Sequence, residues 1–143
     1  MKYKLLVVGT MAYDAIETPF GKVDKILGGA ATYIGLAASR FSLDCGIVSV
    51  VGEDFEKEHL ALLKDKGIDV SGVEIVQGGK TFFWSGRYHN DLNTRTTLDT
   101  RLNVLEIFDP KIPDHLSTPD IVMLGNLSPD VQLAALAQIK NKP

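Results

Sequence analysis

An α/β fold with a mostly parallel sheet is predicted by three features of the chain. They are short apolar runs closed by glycine, a helical stripe between them, and one stretch where the helical pattern yields to β-branched and aromatic residues. Leu5-Leu6-Val7-Val8, closed by Gly9, reads as a strand buried on both faces. From Ala30 the apolar residues Ala30, Ile34, Ala37, Ala38 and Phe41 fall on one helical stripe, reached through Gly28-Gly29. Gly46 to Gly52 is a second buried strand. Asp54 then offers an N-cap, with Glu56 and Glu58 early, Lys64 and Lys66 late and Gly67 as the stop.

Between Val73 and Phe108 no helical stripe exists. Thr81 to Tyr88 and Thr94 to Thr100 read instead as a hairpin joined through Asn90-Asp91-Leu92-Asn93. Ala15 to Thr18 and Val23 to Leu27, turning at Pro19-Phe20-Gly21, are expected in the same small sheet, so segments of about 14–27 and 75–108 form a lid on one domain spanning 1–143. Ile121 to Leu124 is a further buried strand, and Ser128-Pro129 starts a last helix running to about Lys140. Three or four strands without a closing element leave a long sheet edge, so the chain reads as truncated mid-domain.

Composition narrows the function. The 143 residues carry 15 Lys+Arg against 18 Asp+Glu, a formal net charge of −3, with 45% hydrophobic and 23% charged residues. That balance excludes a disordered tail, a coiled coil and a collagen-like repeat, and it gives no general attraction to nucleic acid or to anionic membrane. Cys45 is the single cysteine and has no partner for an intramolecular disulfide. No apolar stretch approaches the length of a spanning helix and no signal peptide is legible, so a cytoplasmic location is expected.

Two phosphate-binding readings fail on their frames. Gly78-Gly79-Lys80-Thr81 lacks the earlier glycine of a phosphate loop, where Glu74 stands, and is followed by the strand-like Phe82-Phe83-Trp84. Gly9 to Asp14 holds one glycine where a dinucleotide site needs three. Asp14 is more informative: beyond the first strand it reaches the crevice where open α/β sheets bind ligands, and its ionised carboxylate can accept two hydroxyl donors. A solvated turn aspartate is the other reading. Gly28-Gly29 leaves helix N–H groups open to a hydroxyl-rich or anionic ligand, or serves only the steric path of the chain. His59, His89 and His115 are scattered and expected on the surface.

The order of these motifs resembles the N-terminal half of the PfkB family of carbohydrate and nucleoside kinases, whose fold is ribokinase-like. It runs from Gly9 and Asp14 through Gly28-Gly29-Ala30-Ala31-Thr32-Tyr33-Ile34-Gly35-Leu36-Ala37-Ala38 to Val51-Gly52-Glu53-Asp54 and Lys66-Gly67-Ile68-Asp69, with a β-lid interrupting the α/β units. The resemblance implies that Asp14 binds two sugar hydroxyls and that the Gly28-Gly29 backbone lies against the sugar. Tyr33 stands where the family commonly has a substrate-binding asparagine, and Lys57 where it has a further glycine. Asn126 matches a position that often lines the sugar pocket, and equally suits a role with Ser128 in starting the last helix.

The resemblance further implies an ATP- and Mg2+-dependent transfer to an alcohol, and a homodimer formed through the lid. The family's catalytic base lies in a G-x-G-D sequence. None occurs in this chain, so no catalytic residue is assigned, the base is expected beyond Pro143, and this segment by itself is expected to bind neither ATP nor Mg2+. A non-catalytic sugar- or nucleoside-binding protein of the same fold is the alternative.

Overall fold

The computed structural model describes residues 3–41 and 43–141. Its elements are β1 (Tyr3–Val8), β2 (Ala12–Thr18), β3 (Gly21–Gly28), α1 (Ala30–Ala38), β4 (Leu43–Gly52), α2 (Lys57–Asp65), β5 (Asp69–Val76), β6 (Phe82–Tyr88), β7 (Arg95–Arg101), β8 (Ile121–Leu124) and α3 (Pro129–Ala137). Two four-stranded sheets result, a body sheet ordered β5-β4-β1-β8 and a small sheet ordered β3-β2-β6-β7.

The body sheet is parallel throughout, and its central strands β1 and β4 come from the two apolar runs. Val7, Val8, Ile47, Val48 and Val51 are all fully buried because both faces are covered. Leu5, Val7, Ile47 and Val51 pack on one side with Ala31 and Leu63 from α1 and α2. Leu6, Val8, Val48 and Val50 pack on the other with Ala135 of α3 and with Val104 and Phe108 from the return segment. This alternation follows from strand geometry, in which successive side chains point to opposite faces.

In the small sheet the pairs β2–β3 and β6–β7 are antiparallel hairpins, joined through a parallel β2–β6 pair. Both lid segments therefore share one sheet, residues 12–28 contributing one hairpin and 82–101 the other.

Several expectations are corrected. β5 has no counterpart in the sequence reading, because Ser71, Gly72 and Glu74 interrupt its apolar residues. It is an edge strand whose Ile75 is exposed, and its pairing shifts register between Gly46 and Val48. Among the described residues β8 is an edge rather than a buried strand: Val122 and Leu124 reach the core, while Ile121 and Met123 are exposed. The buried side of α1 is Ala31, Thr32, Gly35 and Ala38, and Phe41 is exposed. The helix meets the sheet at Gly35, directly over Ile47 and Ile68, so the smallest residue sets the contact.

Asp54 does not cap α2. Its Oδ1 accepts the Thr81 N–H and the Thr81 hydroxyl, each at 2.8 Å, and so ties the start of β6 to the end of β4, while Glu56 precedes α2 without a side-chain cap. α3 stops at Ala137, because the Lys140 N–H leaves the helical pattern for the Ser117 carbonyl at 2.9 Å. His89 and His115 are exposed as expected. His59 is half-buried against Phe55 and Tyr13, whose hydroxyl accepts the Glu56 N–H at 2.9 Å. No helix among the described residues is long and apolar enough to cross a membrane.

Candidate functional site

The small sheet rises from the carboxyl ends of the body strands, and between it and the start of α1 lies a cleft of about 410 Å³. Thr10, Ala12 and Asp14 line one part of it, Gly29 and Ala30 the helix end, Phe82, Trp84, Tyr88 and Arg95 the small sheet, and Asn126 the segment after β8. Asp14 is its one carboxylate and Arg95 its one cationic side chain.

Asp14 is half-buried, and burial holds its carboxyl above the usual carboxylate range. No hydrogen-bond donor meets that carboxylate among the described residues. A partly desolvated acceptor without a donor has most to gain from a ligand's hydroxyl groups.

The glycine pair shapes the floor. A Cβ on Gly28 would lie 2.3 Å from Asp14 Oδ2, so only glycine leaves room for the carboxylate. Gly29 adopts φ 95°, and a Cβ there would lie 2.4 Å from the Thr10 carbonyl oxygen. That close approach lets Thr10 act as the cap of α1. Its Oγ1 accepts the Ala30 N–H at 3.0 Å and its carbonyl accepts the Ala31 N–H at 2.9 Å. The helix N–H groups expected to stand open behind Gly28-Gly29 are thus partly taken. The Thr10 hydroxyl donates onward to Asn126 Oδ1 at 2.8 Å, and the Asn126 amide N–H groups meet no acceptor among the described residues.

Asp14, Gly28, Gly29 and Asn126 are therefore brought together. Tyr33 is set apart: it is exposed on α1, its hydroxyl donates to the Leu27 carbonyl at 3.1 Å, and it does not line the cleft. Thr10, Phe82, Trp84, Tyr88 and Arg95 also line the cleft, and the sequence alone does not single them out. Phe82, Trp84 and Tyr88 alternate along β6 and so share one face, but the parallel β2–β6 pairing that carries this face beside Asp14 is not a local signal. Among the described residues no group of three or more His, Cys, Asp or Glu side chains could hold a metal ion. Cys45 is buried and its thiol is pushed up to about 11 by burial, so it is no nucleophile.

This architecture, a parallel body with a four-stranded lid over a carboxylate-bearing cleft, is the ribokinase-like fold. The chain is 28% identical over 138 residues to a cytidine kinase of Thermococcus kodakarensis, covering 96% of this chain and 49% of that protein. It is 33% identical over 104 residues to a nucleoside kinase of Methanothermobacter thermautotrophicus, covering 62% and 34%. The crystal structure of the Methanocaldococcus jannaschii nucleoside kinase, an archaeal member of the ribokinase family, superposes with a TM-score of 0.76 at 18% identity over 99% of this chain and 51% of that one. No family model matches. The resemblance to the PfkB kinases thus holds in fold and in sequence over most of the chain, which spans about half the length or less of the curated relatives it matches.

Proposed function

We propose that this chain is the acceptor-binding and lid part of an ATP-dependent kinase that phosphorylates a hydroxyl of a sugar or nucleoside. The observation that carries the reading is the half-buried Asp14 carboxylate, without a donor among the described residues and with Gly28 cleared beneath it, facing a cleft roofed by the small sheet. A carboxylate so placed accepts two hydroxyl groups of a polyol and fixes the ring, and the lid restricts water around it. In this reading ATP and Mg2+ belong to the intact enzyme, and the part of this chain is to bind, orient and enclose the acceptor. A cytoplasmic location suits a lone, buried and unreactive cysteine.

The test is ATP-dependent transfer by the intact protein to a panel of sugars and nucleosides. Transfer to at least one is expected. Acceptor binding without transfer would replace the kinase with a binding protein of the same fold, and neither binding nor transfer would remove the reading altogether.

The same proposal includes a homodimer through the lid. Phe20 is 84% exposed at the β2–β3 turn, and Val23 and Leu98 stand exposed on β3 and β7. A clasp between two small sheets would cover these apolar side chains. Sedimentation should give a dimer that Phe20→Asp weakens, and a wild-type monomer at high concentration would refute the clasp.

A further inference from the structure

Tyr13 precedes Asp14 on β2, so its side chain leaves the strand on the other face of the small sheet, where it is buried. Its ring stacks on Phe55 at 5.4 Å and meets the His59 ring at 5.6 Å, with Lys25 Nζ 4.2 Å above it. The first turn of α2 has no side-chain cap of its own, and the Tyr13 hydroxyl accepts the Glu56 N–H there at 2.9 Å. Because the oxygen accepts that bond, its proton is directed to His59 Nδ1 at 3.1 Å. These contacts assign the ring proton of His59 to Nε2, which lies 3.8 Å from Glu56 Oε2. Burial holds the Tyr13 hydroxyl above its ordinary pKa, so it stays protonated and able to donate.

Beside Asp14 the ladder is broken. Asp14 pairs with Ile26 but Ile16 with Val23, so two residues of β3, Asp24 and Lys25, stand against Ala15 alone. Lys25 leaves this bulge for Glu56 Oε1 at 2.7 Å. On its other edge β2 pairs with β6 without interruption from Ala12 to Glu17. One regular edge leaves a strand free to roll about its axis at the point where the other edge is bulged.

We infer that Tyr13 and His59 are positioning residues for Asp14: the hydroxyl, held between the first turn of α2 and the imidazole, fixes the roll of β2 and with it the place of the carboxylate in the cleft. The inference rests on the reading of Asp14 as the acceptor site.

The geometry gives this pair its leverage. No donor holds the Asp14 carboxylate among the described residues, so its backbone sets where it stands. A roll of β2 by about 10° moves a carboxylate oxygen by roughly 0.6 Å, past the roughly half an ångström within which a binding group keeps its geometry. Tyr13 resists that roll better than a backbone bond does, because its hydroxyl is tied at the far end of a long, stiff side chain on the opposite side of the strand axis. The tie runs from the lid to the body, since Tyr13 and Lys25 belong to the small sheet and Glu56 and His59 to the start of α2.

Two measurements on the intact protein test this: calorimetric titration with cytidine and with ribose, and carboxyl-carbon NMR titration of Asp14 without ligand. Tyr13→Phe keeps the ring and removes the hydroxyl. It should weaken whichever of the two ligands binds tighter by about tenfold, the scale of a misplacement of half an ångström or so. It should also bring the Asp14 titration down toward the ordinary carboxylate range, because a carboxylate turned from its place gains water. Combined with Asp14→Ala it should bind no more weakly than Asp14→Ala alone, since the group it positions is gone. His59→Leu should repeat the loss, and His59→Asn, whose side-chain oxygen can stand where Nδ1 stands, should recover most of it. Circular dichroism checks that each variant is folded. Unchanged affinity in Tyr13→Phe or an unmoved Asp14 titration overturns the inference. Additive losses in the double variant do so too, because Tyr13 would then only hold the lid together, and equal losses in the two His59 variants overturn the role of His59. If neither cytidine nor ribose binds the wild-type protein, the acceptor reading fails, and the NMR titration still decides whether Tyr13 places Asp14.

Discussion

Asp14→Ala is expected to lower kcat/KM for the acceptor by about a hundredfold or more in the intact enzyme, with the KM for ATP almost unchanged. Two charge-assisted hydrogen bonds from substrate hydroxyls, each worth roughly 1.5–3 kcal/mol, account for a loss of that size. Asp14→Asn keeps one acceptor oxygen and loses the charge, so it should fall between alanine and wild type. Steady-state kinetics alongside calorimetric titration of the acceptor separate the roles. A solvated turn aspartate would leave both variants near normal, and a catalytic base would lose kcat while acceptor binding survived. Unchanged acceptor binding in Asp14→Ala would take the residue out of the site.

The same carboxylate sets a pH dependence of definite sign. Burial raises its pKa above the ordinary value, so the folded protein holds this proton more tightly than the unfolded chain. Its contribution favours folding below the unfolded pKa and is lost as pH rises through the folded value. Acceptor binding runs the other way, because hydroxyl donors need the charged form. Acceptor affinity is therefore expected to fall on acidification at a pH above the usual carboxylate range, and Asp14→Asn to raise Tm at neutral pH while binding acceptor more weakly. That opposition is what a site held ready for a ligand costs the free protein.

How far the sequence disclosed this arrangement depended on whether each signal was local. β1 and β4 were legible because strands buried on both faces must be continuously apolar, and the lid hairpins because β-branched and aromatic residues flank turn residues. β5 and the exposed face of β8 were not, since an edge strand is half-covered and its composition blurs into loop. Asp14 and the glycine pair could be singled out from chemistry and spacing, and the fold explains why: Gly28 clears the carboxylate and Gly29 admits the Thr10 carbonyl. Thr10, Trp84 and Arg95 depend on pairings between distant segments. Trp84 meets Asp14 only because β6 adds beside β2, and Thr10 meets Asn126 across 116 residues.

The glycine pair is expected to divide into a structural and a functional member under the same substitution. Gly29→Ala forces a side chain onto φ 95° and drives its Cβ against the Thr10 backbone, which cannot move without releasing the cap of α1. Strain of this kind costs roughly 3 kcal/mol or more, so Tm should fall on the order of 10 °C. Gly28→Ala meets only the Asp14 side chain, with Oδ2 at 2.3 Å and Cγ at 2.7 Å, and Gly28 has no positive φ to strain. Rotation of one carboxylate relieves that overlap, so Tm should hold within about 3 °C while acceptor affinity falls nearly as far as in Asp14→Ala. The double variant distinguishes displacement of Asp14 from a separate contact between substrate and Gly28. If the methyl group acts by turning the carboxylate away, Gly28→Ala combined with Asp14→Ala binds acceptor no more weakly than Asp14→Ala alone, because the group that Gly28 accommodates is already gone. Additive losses in the titration would instead mean that the Gly28 backbone itself lies against the substrate, and that its missing side chain serves the ligand rather than the aspartate.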